Sequence, residues 1–482
     1  MMEPPQAPTH HALLPTLRSP TVPGCKLSDA NNVVFPISPI DMLMPRMHVP
    51  KLLYFPSTAE PAAITSNLRA ALALTLKSIP IIAGSVAPSK QEGVQKGSLS
   101  VQRPYFEAED ILSSNDLRNE YDYEQLRAAH FPSDEIAWDA IAPKQFGKAA
   151  DSAPVMLAQA NFLRGGLLLF FAVHHCVLDE VGLFNVMKVW SSSCRGDVDL
   201  HFVTPQWFDR SPLLQGAGTG RLEDHPEYAL APEAETVRAA EDPSVYFPSS
   251  ENMVATMSGP NNGDDGSAWI STNDALIALF WCCITSARVA ESTKATSEIF
   301  PLFAMAVNGR SKLHPPVAPD YCGNVVLIAK TLSKADDLLS PQPGCLAKAA
   351  SLVRKAVNVV DDAYVRDVIQ MVRNVDDVSR LAPRRRPSIE YSLGCSTWAR
   401  QPYYSLDWGR TVGGACERIR KRRLHTDGLF LIFPRLPSTE GLDGKSDGRK
   451  GGVEVQLGLQ SSHLQILMKN PVFMEFAQWR CS

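Results

Sequence analysis

Between Leu167 and Val173 the chain runs Leu-Leu-Leu-Phe-Phe-Ala-Val without a polar residue. An apolar run with no alternation predicts a strand buried on both faces. Beyond Glu180 the period changes, and Leu183, Phe184, Met187 and Trp190 recur at helical spacing. The same reading gives a short buried strand over 52–56 and an amphipathic helix over 64–84, where Leu68, Leu72 and Leu76 lie four apart and Pro80 falls just past its end. A further helix is predicted over 271–290. Ser271 and Asp274 open it in the manner of a capping box, and Leu276, Phe280 and Cys283 form its buried face. Residues 428–434 and 453–459 read as strands of a hairpin, joined by a Gly/Ser/Asp-rich stretch, 438–452, expected to be a mobile surface loop.

From about 201 to 266 periodicity gives way to segments rich in Gly, Pro, Asp and Asn, as expected of a long crossover, and residues 1–25 form a proline-rich leader. The expected organisation is therefore a leader (1–25), a first half (26–200), a crossover (201–266) and a second half (267–482), with mixed α and β structure in both halves.

Composition narrows the function classes. The 482 residues, 45% of them hydrophobic, can bury a full-sized core, and the net charge of −4 lacks the excess of positive charge that nucleic acid or an anionic membrane selects. Ten cysteines without a CxxC favour neither a structural zinc site nor a disulfide framework. The leader lacks the apolar core of a signal peptide, and no apolar stretch approaches the ~20 residues of a membrane helix. The expected compartment is reducing and soluble, the cytoplasm.

Candidate chemistry lies at the joint between the buried strand and the helix after it, "HHCVLDEVG". His175 falls at the strand tip, and Asp179 is placed to cap the helix. The residues alone leave two readings open, a satisfied buried histidine beside an ordinary N-cap, or a histidine aimed into a cleft. A metal site of His174, His175, Asp179 and Glu180 is disfavoured, because adjacent residues of a strand point to opposite faces. Cys176 reads as a packed small residue, not a nucleophile. The same HxxxD spacing recurs in "HFPSD" (130–134), where an internal proline and the lack of a preceding strand suggest an exposed loop. No strand-borne GxSxG nucleophile elbow, Walker loop or strand-borne GxGxxG is present.

The second half carries "VNGRSKL" (307–313), "YCGN" (321–324) and "STWARQPYYSLDWGRTVGGACERIR" (396–420). Together with "SPIDMLMPRMHVPKLLYF" (38–55), "HHCVLDEVG" and "STNDALIALFW", these resemble, in order, the blocks of the BAHD acyltransferase superfamily, and within it the fungal trichothecene 3-O-acetyltransferase-like branch. His175 and Asp179 match its HHxxxD motif, and Asp407, Trp408 and Gly409 match the start of its DFGxG motif. Glu180 stands where many members carry glycine, and Arg410 and Thr411 replace the last two residues of the plant-type motif.

The resemblance implies two chloramphenicol-acetyltransferase-like domains with a channel between them and His175 midway along it. It implies an acyl-CoA co-substrate, acetyl-CoA first, no permanently bound cofactor or metal, and a small-molecule alcohol acceptor from secondary metabolism, handled by a monomer. His175 would act as general base, Asp179 would pair with Arg310 to hold the loop, and Asp407 and Gly409 would support the second motif. Ser396, Thr397 and Arg420, the last within the basic run 418–423, would contact CoA. The alternatives are an amide-forming, condensation-type enzyme and an inactive ligand-binding relative.

Overall fold

A computed structural model describes residues 34–481 apart from 134, 149–151, 198–199, 231–243, 248–268, 340–343, 384–390, 423, 425 and 438–450. The leader, much of the crossover and most of the 438–452 loop lie outside the described residues.

The first half is built on β1 (His48–Pro56), α1 (Pro61–Ser78), β2 (Leu112–Asp116), β3 (Met156–Leu163), β4 (Gly166–His174) and α2 (Glu180–Cys194). Every residue of β4 is buried, as its unbroken apolar run requires: Leu167, Leu169, Phe171 and Val173 face α1 and α2, while Leu168, Phe170 and Ala172 face a second cluster with Tyr54, Tyr123 and Phe131. Strand β1 is longer than the apolar residues 52–56 suggested, because the polar His48 and Lys51 and the imino acid Pro50 hide its first half. Helix α1 starts on Pro61 and ends before Pro80, and Pro80–Ala83 continue as a 3-10 turn.

The second half centres on a seven-stranded sheet packed against α3 (Thr272–Val289). The capping box of Ser271 and Asp274 forms, and almost all of α3, not one stripe of it, is buried. In spatial order the strands are Val326–Leu332, Leu302–Asn308, Leu393–Thr397, Leu429–Ile432, Val453–Leu457, Ser244–Phe247 and Gln478–Cys481. The expected hairpin partners, Leu429–Ile432 and Val453–Leu457, are antiparallel neighbours. The crossover is more than a connection, since Ser244–Phe247 pairs with Val453–Leu457 and with Gln478–Cys481.

The two sheets exchange chain. Arg418–Arg420, from the second half, pairs antiparallel with β1 and becomes the edge strand of the first sheet, in the order 418–420, β1, β4, β3, β2. Among the described residues no helix is long and apolar enough to cross a membrane.

Candidate active site

Strand β4 ends at His174 and α2 begins at Glu180, so residues 175–179 form a tight loop at the end of the sheet's central strand. The His174 ring is buried 5.4 Å from the ring of His48, and burial pulls it down to about 3, so it is neutral at any working pH. His48 in turn lies 2.7 Å from the carbonyl of Pro154. His175 is half-buried, and its backbone is held on both sides: its N–H donates to the Met47 carbonyl (2.9 Å), and its carbonyl accepts from Asn324 Nδ2 (2.9 Å).

Asp179 caps α2, with Oδ1 accepting from the backbone N–H groups of Val181 and Gly182, both at 3.1 Å. The same carboxylate takes a bidentate pair from the other half of the molecule, Arg310 Nη1 to Oδ2 at 2.7 Å and Nη2 to Oδ1 at 2.8 Å, and Oδ2 also accepts from the Val325 N–H at 3.1 Å. With five donors on its two oxygens, Asp179 is fully engaged in holding the loop. Arg310 Nη2 further donates to the carbonyls of Tyr321 and Gly323. The connection between Leu302–Asn308 and Val326–Leu332 therefore docks on the histidine loop.

Asp41 was not singled out from the sequence. It is the fourth residue of a Ser-x-x-Asp box opening Pro39–Met42, and its Oδ1 accepts both the backbone N–H and Nδ2 of Asn324 at 2.8 Å. The box signature in "SPIDML" was the available signal.

The second motif lies elsewhere. Helix α2 is 15 residues long, so its ends are about 22 Å apart. Asp407 meets the far end, where Arg195 Nη1 donates to the Asp407 carbonyl at 3.2 Å. The exposed Asp407 side chain accepts the Gly409 N–H at 2.9 Å, and Gly409 has φ 78°, with Cys194 and Arg195 too close for a comfortable Cβ. Trp408 is fully buried, with its ring 5.4 Å from Trp190 and 5.7 Å from Phe55. This motif locks the end of α2 to the sheet and is remote from His175.

Ser396 and Thr397 end the strand Leu393–Thr397 and are half-buried, next to Trp398. Arg420 corrects the expectation that it meets CoA phosphates. It is 1% exposed, and its guanidinium is committed to Glu454 (Nη1 to Oε2, 2.7 Å) and to the carbonyls of Phe131 and His130. The signal was Glu454 itself, a lone carboxylate between Val453 and Val455 in an apolar strand, which requires a buried cation. The 130–134 stretch is likewise no exposed loop where described, because Phe131 is buried with its ring 4.5 Å from that of Tyr54. Asp134 lies outside the described residues.

Cys176 is buried, its thiol donates to the Met44 carbonyl at 3.3 Å, and burial pushes it up to about 12. Among the described residues no three His, Cys, Asp or Glu side chains are grouped to hold a metal ion.

A family model described as Transferase family matches residues 105–474. Acyltransferase BOA11 of Botryotinia fuckeliana is 25% identical over 422 residues, covering 80% of this chain and 87% of that protein. Fumigaclavine B O-acetyltransferase easN of Aspergillus fumigatus is 24% identical over 499 residues, covering 91% and 96%. Among solved structures, F. sporotrichioides TRI101 complexed with coenzyme A and T-2 superposes with a TM-score of 0.76 at 22% identity, covering 92% of this chain and 99% of that one. Vinorine synthase does so with a TM-score of 0.61 at 16% identity, covering 92% and 94%. At these identities the structural likeness is one of fold.

Proposed function

The chain belongs to the Transferase (BAHD) family of acyltransferases, and from that premise we propose that it moves an acyl group, acetyl first, from coenzyme A to a hydroxyl of a small secondary metabolite. The observation that carries this reading is the pinned loop. A half-buried histidine directly follows a strand end, its backbone fixed to Met47 and Asn324, and the neighbouring carboxylate is spent on Arg310, Val325 and the helix cap. An aspartate so occupied is free for neither proton transfer nor metal binding, which leaves the imidazole as the loop's working group.

The chemistry needs such a group. An alcohol is a poor nucleophile for a thioester until its proton is removed as attack proceeds, and a positioned imidazole is worth roughly 10²–10⁴-fold in rate. His175 takes the acceptor proton as the oxygen attacks the thioester carbon, and returns it to the sulfur as the C–S bond breaks. His174, neutral and packed against His48, takes no part. Ser396 and Thr397, at the end of a second-half strand, are proposed to contact the acyl-CoA. The acetyl preference draws support from the acetyltransferases among the relatives, and the alcohol acceptor from the T-2 complex of the structural neighbour. The same reading has the protein act as a monomer in the cytoplasm, with both substrates in a channel between the halves.

The test is release of free CoA from acetyl-CoA and longer acyl-CoAs by the purified protein with a panel of alcohols and amines. Thioester consumption that depends on an alcohol is expected, and it should vanish in His175→Ala while His174→Ala retains most of it. Equal losses, or a preference for amines, would sink the assignment.

A further inference from the structure

Lys51 sits in the middle of β1 with 0% of its side chain exposed, an unusual place for an ammonium group. Its Nζ donates to Glu180 Oε2 at 2.9 Å and lies over the Trp398 ring, 2.8 Å from the centroid, with the Tyr403 ring centroid 5.1 Å away. The other oxygen of Glu180 is also used, since the Tyr403 hydroxyl donates to Oε1 at 2.8 Å. Glu180 is the first residue of α2 and directly follows Asp179. One carboxylate thus ties the first turn of α2 to a strand of the first half and to a turn of the second.

We propose that Glu180, Lys51 and Tyr403 are positioning residues for the histidine loop, a charged bridge that fixes the start of α2, and so the aim of His175, against both halves of the molecule at once. The proposal rests on the reading of His175 as the base. A buried ion pair is a poor device for stability alone, because apolar side chains of similar size often serve as well or better. What it supplies is direction: two oxygens, each meeting one donor from a different half. Arg310 and Asn324 hold the loop at Asp179 and at the His175 carbonyl, whereas this bridge holds the segment that leaves it. A displacement of about 1 Å at a catalytic group costs up to roughly a hundredfold in rate.

The charged and titratable groups facing the bridge are Lys421, from the second-half segment after the exchanged strand, Asp179 beside Glu180, and Cys416 near Tyr403. Burial lowers Lys51 to about 7 against the pull of Glu180, and burial raises Glu180. Stability and turnover should therefore part company with pH. Lys51 binds fewer protons folded than unfolded between its lowered value and the usual lysine value, so its contribution to stability improves as pH rises above about 7. Turnover should fall over the same range as the bridge loses its positive charge.

The experiment compares wild type, Tyr403→Phe, Glu180→Gln and the double variant Lys51→Met/Glu180→Gln, with acetyl-CoA and an alcohol that is turned over. Tyr403→Phe should lower kcat about threefold, the loss of one hydrogen bond. Glu180→Gln should lower kcat about tenfold or more, with KM for acetyl-CoA changed less than about twofold. The double variant, whose bridge carries no charge, is the safeguard against a single variant that fails to fold. Its Tm should equal or exceed wild type, yet its kcat should stay about tenfold down and lose the alkaline decline. Recovery of wild-type kcat in the double variant would overturn the proposal, as would losses confined to KM.

A readout without substrate separates this from the functional reading. The ring resonances of His175, assigned by their absence in His175→Ala, should shift or broaden in Tyr403→Phe and in the double variant. Unmoved resonances overturn the positioning role whether or not acyl transfer occurs, whereas a wild type inert toward every thioester overturns the functional reading alone.

Discussion

Asp179 and Arg310 are joined by two short hydrogen bonds in a buried setting, and neither has water to fall back on when its partner is lost. Removing one side of such a pair costs about 3–5 kcal/mol. Asp179→Asn and Arg310→Met should each lower stability by about that amount in denaturant unfolding, and the double variant by much less than the sum. Strict additivity would mean the two are not coupled. The apolar run ending at a histidine and the helix beginning just after an aspartate marked the loop that carries Asp179, whereas its pairing with Arg310 came from the family resemblance and not from the pattern. Lys51 was not legible. A single lysine ahead of "LLYF" looks like a strand end, and its counterion is 129 positions away, at Glu180. Arg420 failed in the opposite way, since its place in a basic run suggested a solvated charge while Glu454 and three carbonyls had drawn it inside.

At the level of elements, periodicity found the central strand β4, helix α3 and the 429–457 hairpin, because each is carried by consecutive apolar residues. It shortened β1 and did not find Ser244–Phe247, whose pairing is with residues more than two hundred positions away. The second motif is best understood as an element lock at the far end of α2. Gly413, which closes its short helix Gly409–Val412, has φ 118°, and an added Cβ would lie 2.3 Å from the Pro56 carbonyl oxygen. Gly413→Ala should therefore destabilise by at least the ~1–3 kcal/mol of a strained backbone, lowering Tm, while KM of the molecules that remain folded is unchanged.

A second element contact is set by pH. Burial lowers His225, but Glu227 at 3.3 Å from Nδ1 and Asp367 at 2.8 Å from Nε2 outweigh it and raise the ring above its ordinary value. Stability from this contact is fully present below the unfolded value, about pH 6.5, and is lost as pH rises through the folded one. The Tm difference between wild type and His225→Gln should be largest at or below about pH 6.5 and shrink as pH rises through the ring's raised value; a difference constant with pH would show that the ring's charge contributes nothing.

Across the whole molecule, direct transfer requires both substrates on the protein together. Varying acyl-CoA and alcohol should give intersecting lines in double-reciprocal form, not the parallel lines of a covalent intermediate. Labelled acyl-CoA alone should leave no label on denatured protein, and Cys176→Ala should keep most activity, because that thiol is buried, protonated and bonded to the Met44 carbonyl. Parallel lines that disappear in Cys176→Ala would replace direct transfer with an acyl-cysteine route.

The exchanged strand has a consequence for how the protein is made. Strand β1 leaves the ribosome early, but the strand that closes its outer edge, Arg418–Arg420, is synthesised roughly 360 residues later. At about 5–20 residues per second that is on the order of 20–70 s during which β1 presents an unpaired edge, the kind of template on which chains aggregate. The first half therefore cannot finish its sheet until residues 418–420 have been made, and a nascent chain halted before residue 418 should be held by chaperones and readily cut by protease near β1. Release of the complete chain should abolish both together.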